Sequence, residues 1–142
     1  MSKRAWIAAL GLSLLVGCSW VHHVRTWLHR PKTLTVSETA NGSSVTLSVG
    51  DFLAVSLAAN PTAGYGWQVA LSNASVLALT GPPSFGETKT PDPQAIGAGV
   101  ENIFKFRALR AGATEIELIY RRSFDPPTVP PAKAFVATVT VR

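Results

Sequence analysis

Catalysis needs nucleophiles, acids or metal ligands within reach of one another, and in this 142-residue chain those residues are unevenly placed. The single cysteine, Cys18, and all three histidines, His22, His23 and His29, precede residue 30. No second cysteine exists to pair with Cys18, and the histidines lack Cys, Asp or Glu neighbours at metal-ligand spacing. From residue 30 onward the chain has no cysteine, no histidine, no G-x-S-x-G elbow and no recognisable carboxylate pair. This pattern speaks against an enzyme, a metal centre or a cofactor. What remains is recognition chemistry, densest in Asn60-Pro61-Thr62-Ala63-Gly64-Tyr65-Gly66-Trp67. Here proline fixes φ, two glycines open conformations that other residues avoid, and two large aromatics stand beside them. Such a stretch is either a stiff contact loop or a plain hairpin turn whose aromatics belong to the core.

Cys18 has a chemistry of its own. Met1-Ser2-Lys3-Arg4 is positive, residues 5–16 are apolar apart from Gly11 and Ser13, and Leu15-Val16-Gly17-Cys18 follows. That layout is a secretory signal, and the last four residues resemble the bacterial lipobox. The resemblance implies that residues 1–17 are removed and that Cys18 becomes the lipidated first residue. The alternative is an uncleaved membrane anchor over residues 5–21, near the lower length limit for a spanning helix. Either way the remaining chain lies outside the cytoplasmic membrane. Ser19 resembles the residue that follows the cysteine in lipoproteins of the Gram-negative outer membrane, so the outer membrane or the periplasmic face is the expected location.

Next comes a membrane-proximal segment, residues 18–32. Trp20, Val24, Trp27 and Leu28 fall on one helical face, which fits a short helix in the headgroup region or, alternatively, a disordered tether. The chain carries 13 basic and 8 acidic residues. Loss of Lys3 and Arg4 leaves only a mild positive excess, scattered rather than clustered, so nucleic-acid binding is not expected.

The elements that must position the Asn60–Trp67 stretch are strands. From Thr33 the pattern has a period of two and no long helical segment. Candidate strands cover residues 33–37, 44–49, 52–58, 67–71, 76–80, 102–109, 113–120 and 134–141, with tight turns at Asn41-Gly42, Val49-Gly50-Asp51 and Ala111-Gly112. Seven or eight short strands predict an all-β domain over residues 33–142: a two-sheet antiparallel sandwich, with a small barrel as the alternative. Phe52, Leu57, Val69, Phe104, Phe106, Ile116, Leu118, Phe135 and Val139 are the expected core. Two connections, residues 81–99 and 121–133, are longer than strand pairing requires. Counting strand reversals brings both to the same end of the sandwich as the Asn60–Gly66 connection.

These three connections carry a resemblance. The chain is similar to the chagasin-type inhibitors of papain-like cysteine proteases. The first family loop reads N-P-T-T-G-Y, matched by Asn60 to Tyr65 except at Ala63. The second reads G-x-G-G, here Gly97-Ala98-Gly99-Val100. The third reads R-P-W, here Arg122-Ser123-Phe124. The resemblance spans residues 33–142 and implies an immunoglobulin-like sandwich. It also implies reversible inhibition by a wedge, the first loop entering the protease cleft beside the catalytic cysteine while the other two grip its walls. Thr62 and Ala63 are then nearest that cysteine, Tyr65 supports the loop base and Trp67 packs into the core.

The resemblances imply a papain-like cysteine protease as partner and the membrane as a second contact through Cys18, and a monomer is expected. The physical reading agrees: Pro61 limits backbone freedom, Asn60 can cap its own turn, and Gly64 can take φ > 0, so less entropy is lost on binding. Four departures bear on affinity. Ala63 loses a hydroxyl, Val100 resists positive φ if that position needs it, Ser123 removes a proline, and Phe124 is smaller than tryptophan and has no N–H. Arg121 and Arg122 can also be read as a solvated pair. The other functional class is an envelope-anchored immunoglobulin-like binding or structural lipoprotein without inhibitory activity, because such sandwiches host many functions.

Overall fold

The computed structural model describes residues 30–87 and 100–142. The expected signal segment (residues 1–17), Cys18, most of the expected membrane-proximal segment and Gly97-Ala98-Gly99 lie outside them. Nine strands are formed among the described residues: β1 (Thr33–Ser37), β2 (Ser43–Leu47), β3 (Phe52–Ala59), β4 (Tyr65–Leu71), β5 (Leu77–Leu79), β6 (Ser84–Glu87), β7 (Val100–Ala108), β8 (Gly112–Arg122) and β9 (Lys133–Val141). One sheet runs β1-β3-β7-β5, with β6 continuing along the same edge of β7, and the other runs β2-β9-β8-β4. The fold is an all-β, immunoglobulin-like sandwich.

Alternation decides what each strand buries. Phe104, Phe106 and Ala108 of β7 face Ile116, Leu118 and Tyr120 of β8 and Phe135, Ala137, Val139 and Val141 of β9 in a single core cluster. Large side chains of this kind stabilise by roughly 1.5–3 kcal/mol each when buried. Seven of the nine expected core residues are in that cluster, and Val69 packs against it. Phe52 is not in it. Leu53, Val55 and Leu57 point inward, so Phe52, an odd number of residues from Leu57, lies on the outer face under Lys105.

The sheets are mixed, not purely antiparallel. β1 pairs parallel with β3, and β2 parallel with β9. Chain order explains this: β1 belongs to one sheet, β2 crosses to the other, and β3 returns. Two reversals leave β1 and β3 pointing the same way as neighbours. The sequence reading also lacked β6, which divides the expected residue 81–99 loop. β5 and β6 both run antiparallel to β7, so they share one direction and the count of reversals is unaffected.

The strand directions define two ends. At the upper end β3 hands over to β4, β6 is linked to β7, β8 turns into β9, and β1 turns into β2. The lower end holds the turns at residues 48–51, 72–76 and 109–111, together with the start of β1 and the end of β9.

Candidate functional site: the upper end of the sandwich

The link from β3 to β4 is shorter than its sequence suggests. Tyr65 and Gly66, expected in the loop, already belong to β4, which leaves Asn60–Gly64. Pro61–Ala63 form one turn of 3-10 helix, with proline at the first position, where its missing N–H costs nothing. The turn is closed by main-chain bonds, Ala63 N–H to Asn60 O (3.4 Å) and Gly64 N–H to Pro61 O (3.0 Å). The expected side-chain cap from Asn60 is not made. Instead the Asn60 N–H donates to the Tyr120 hydroxyl at 2.8 Å.

Gly64 sits at φ +72°, ψ 8°, the left-handed region where a side chain costs about 1–2 kcal/mol. A Cβ there would also lie 3.2 Å from Cε1 of Phe124. The positive φ calls for glycine by itself, and a Cβ would in addition push the exposed Phe124 ring aside by a few tenths of an ångström.

Below this turn the aromatics form a base. Trp67 is opposite Tyr120, and Tyr65 is opposite Arg122, in the β4–β8 register. The Tyr65 ring stacks on Tyr120 at 5.2 Å, and Trp67 meets Tyr120 at 5.0 Å with a 39° tilt. Such pairs contribute about 0.5–1.5 kcal/mol beyond their buried area. Trp67 is buried and donates its indole N–H to Ala58 O at 2.9 Å. The expected supporting places of Tyr65 and Trp67 are therefore the observed ones.

The third loop, residues 123–132, folds against the first. Asp125 N–H donates to Arg122 O, closing a turn around Ser123 and Phe124. Arg121 donates one Nη to both Asp125 O (3.0 Å) and Pro126 O (2.7 Å) and so staples the loop to its own strand. The Arg122 guanidinium lies over the Tyr65 ring at 4.8 Å and near the Phe124 ring at 5.8 Å. Its Nε–H is shielded from solvent and has no hydrogen-bond acceptor among the described residues. Neither arginine is merely solvated. Phe124 itself is 71% exposed although its edge touches Gly64.

Of the second loop, only Val100 is described. It begins β7, paired with Ala59 and with Glu87. Among the described residues no non-glycine has positive φ, so the β-branched side chain meets no backbone conflict. The register also sets the order of the three connections. The residue before the first loop, Ala59, pairs with the end of the second, and the residue after it, Tyr65, pairs with the start of the third. The first loop is the middle one.

Sequence reasoning missed Tyr120 as the anchor of Asn60, and it missed Phe85. Phe85 lies on β6 opposite buried Asn102, on the inward-facing side of the sheet edge, yet is 71% exposed. The Pro-Pro-Ser before it and the Gly after it hid the strand. The Glu38–Gly42 turn, with a Glu38–Lys133 ion pair at 3.5 Å, is a fourth connection at this end. Among the described residues no group of His, Cys, Asp and Glu could hold a metal.

Comparison with known proteins assigns this arrangement. The model of the chagasin family peptidase inhibitor I42 matches residues 46–139, two thirds of the chain. The chain belongs to the chagasin family. Chagasin of Trypanosoma cruzi is 28% identical over 100 residues, which cover 66% of this chain and 84% of that protein. The crystal structure of the cysteine protease inhibitor EhICP2 from Entamoeba histolytica superposes with a TM-score of 0.69 at 20% identity, covering 80% of this chain and 98% of that one. The solution structure of Amebosin gives a TM-score of 0.58 at 27% identity, covering 80% and 99%.

Proposed function

We infer that this family member is a reversible inhibitor of papain-like cysteine proteases that acts with the upper end of its sandwich and catalyses nothing itself. The observation that carries the reading is the register, which flanks Asn60–Gly64 by Val100 on one side and Arg122 on the other. In this reading Thr62, Ala63 and Gly64 enter the cleft beside the catalytic cysteine. Gly97-Ala98-Gly99-Val100 contacts one wall, and Arg122-Ser123-Phe124 the other.

The local structure suits that task. A protease cleaves extended chain, whereas Pro61–Ala63 is a closed 3-10 turn whose N-cap residue, Asn60, is tied to Tyr120. Main-chain bonds hold the turn, so alanine at position 63 keeps its shape without the family hydroxyl. Pre-ordering lowers the entropy lost on docking. The second contact is the membrane, through lipidated Cys18 at the periplasmic face or outer membrane of a Gram-negative cell.

The test uses the chain from Ser19 onward, which retains all the described strands and the core cluster they form. It should inhibit papain competitively and reversibly, with Asn60–Tyr65 intact by mass spectrometry after prolonged incubation. Absence of inhibition at micromolar concentration against several papain-like enzymes would leave an envelope binding protein as the better account. Fatty-acid labelling of the full chain in a Gram-negative host should disappear with Cys18→Ala; persistent labelling removes the anchor.

A further inference from the structure

We propose that the lower end of the sandwich, together with the outer face of the β1-β3-β7 sheet beside it, is a docking surface for the anionic headgroups of a phospholipid bilayer. The proposal rests on the reading of Cys18 as a lipid anchor, because it concerns how the anchored domain sits. Residues 1–29 join the described structure at Arg30, and β1 starts at the lower end, opposite Asn60–Gly64, Val100 and residues 123–132. An anchor entering there brings this end to the bilayer.

The charges agree. Arg30, Lys32, Lys105, Arg107, Arg110 and Arg142 are all exposed, and all lie at this end or on the adjoining outer face. The register sets Thr33, Phe52 and Arg107 side by side in one row, with Thr35, Ala54 and Lys105 in the next. Phe104 and Phe106 are buried, so Lys105 and Arg107 project from the opposite face. There they bracket the Phe52 ring, with Lys105 Nζ at 4.4 Å and Arg107 Cζ at 5.9 Å from its centre.

Asp51 sets one negative charge against these six cations, so a positive excess remains at this end. Asp51 is 7% exposed, and its oxygens accept the main-chain N–H groups of Lys32 and Ser48 at 2.9 and 3.0 Å. Glu115 and Glu117 are on β8, in the other sheet. On the outer face of β7 Glu101 lies toward the upper end, where it accepts the Ser56 hydroxyl at 2.6 Å, whereas Lys105 and Arg107 lie toward the lower end. The domain leans onto this lower, basic part of the face. Each cation near an anionic surface is worth roughly a fivefold gain in partitioning, confined to within a Debye length of about 8 Å at physiological salt.

The experiment is sedimentation of the chain from Ser19 onward with vesicles. Co-sedimentation is expected with vesicles containing about one-third phosphatidylglycerol, not with pure phosphatidylcholine, and it should be reversed by high salt. Lys105→Gln with Arg107→Gln should lower binding by on the order of tenfold while papain inhibition stays unchanged. Equal binding to both vesicle types, no effect of the paired substitution, or preference for a DNA duplex over vesicles at equal ionic strength overturns the proposal. Fatty-acid labelling of Cys18 is read separately. Labelled protein whose soluble form ignores anionic vesicles removes the docking surface alone, and unlabelled protein that still binds removes the anchor alone.

Discussion

The two ends of this sandwich close their turns by different means. At the lower end the turns are tight and tied to one another. Val49 N–H bonds to Arg142 O, Gly50 N–H to Ala108 O, and Asp51 links the Lys32 and Ser48 main chains through a buried carboxylate. At the upper end the connections hold themselves with local bonds and lean on aromatic side chains: the Asn60 N–H on the Tyr120 hydroxyl, Arg122 between Tyr65 and Phe124, Gly64 under the edge of Phe124. The lower end spends its polar groups on closing the fold, whereas the upper end leaves an exposed aromatic at its rim. In the proposed reading, protease recognition lies at the end opposite these buried fold-closing bonds, and mutations should separate the two.

The largest effect is expected at Gly64. Gly64→Val places a β-branched side chain in left-handed backbone and against Phe124, so papain inhibition should weaken by about a hundredfold or more, while stability falls by only about 1–2 kcal/mol. The inhibition constant and a urea titration measure the two together. Asp51→Ala tests the converse. It removes two charge-assisted bonds at a buried site and should cost about 3 kcal/mol in unfolding free energy. The inhibition constant should hold at temperatures where the variant is folded; a parallel loss would mean that the two ends are coupled.

Tyr120→Phe removes the acceptor of the Asn60 N–H and keeps the ring stack. About 1–2 kcal/mol of stability and roughly tenfold in inhibition should go together, because this hydroxyl belongs to both core and loop. Phe124→Ala should weaken inhibition several-fold with a Tm change near zero, as expected for a side chain that is 71% exposed. The smallest effect is Ala63→Thr, which restores the family hydroxyl on a turn already closed by main-chain bonds. A gain of at most a few-fold in affinity, read by the inhibition constant, is expected, with Tm unchanged.

Much of this architecture was readable from residue order. β7, β8 and β9 alternate cleanly because one face is buried and the other wet, and the ends of the three connections follow from counting reversals. Phe52 has the bulk of a core residue, but its parity with Leu57 puts it on the outer face. The parallel pairs were missed because nothing in residues 33–47 states which sheet each strand joins. β6 escaped because its four residues include Ser and Gly, and the pairing energy resides in β7. At the site, Pro61 and Gly64 announced a fixed turn. The acceptor for Asn60 and the ring over Gly64 come from sixty residues further along the chain, a separation that local pattern cannot bridge.

The fixed register on both flanks of the first loop has a consequence for how this protein can vary. Ala59 is committed to Val100 and Tyr65 to Arg122, in two different sheets, with five residues between them. Those five residues are a measured length: an insertion there must either break a strand pair or lift the turn off Tyr120. Natural insertions and deletions should therefore collect in residues 88–99 and 123–132, and a library randomised in length should accept changes there and reject them between Asn60 and Gly64.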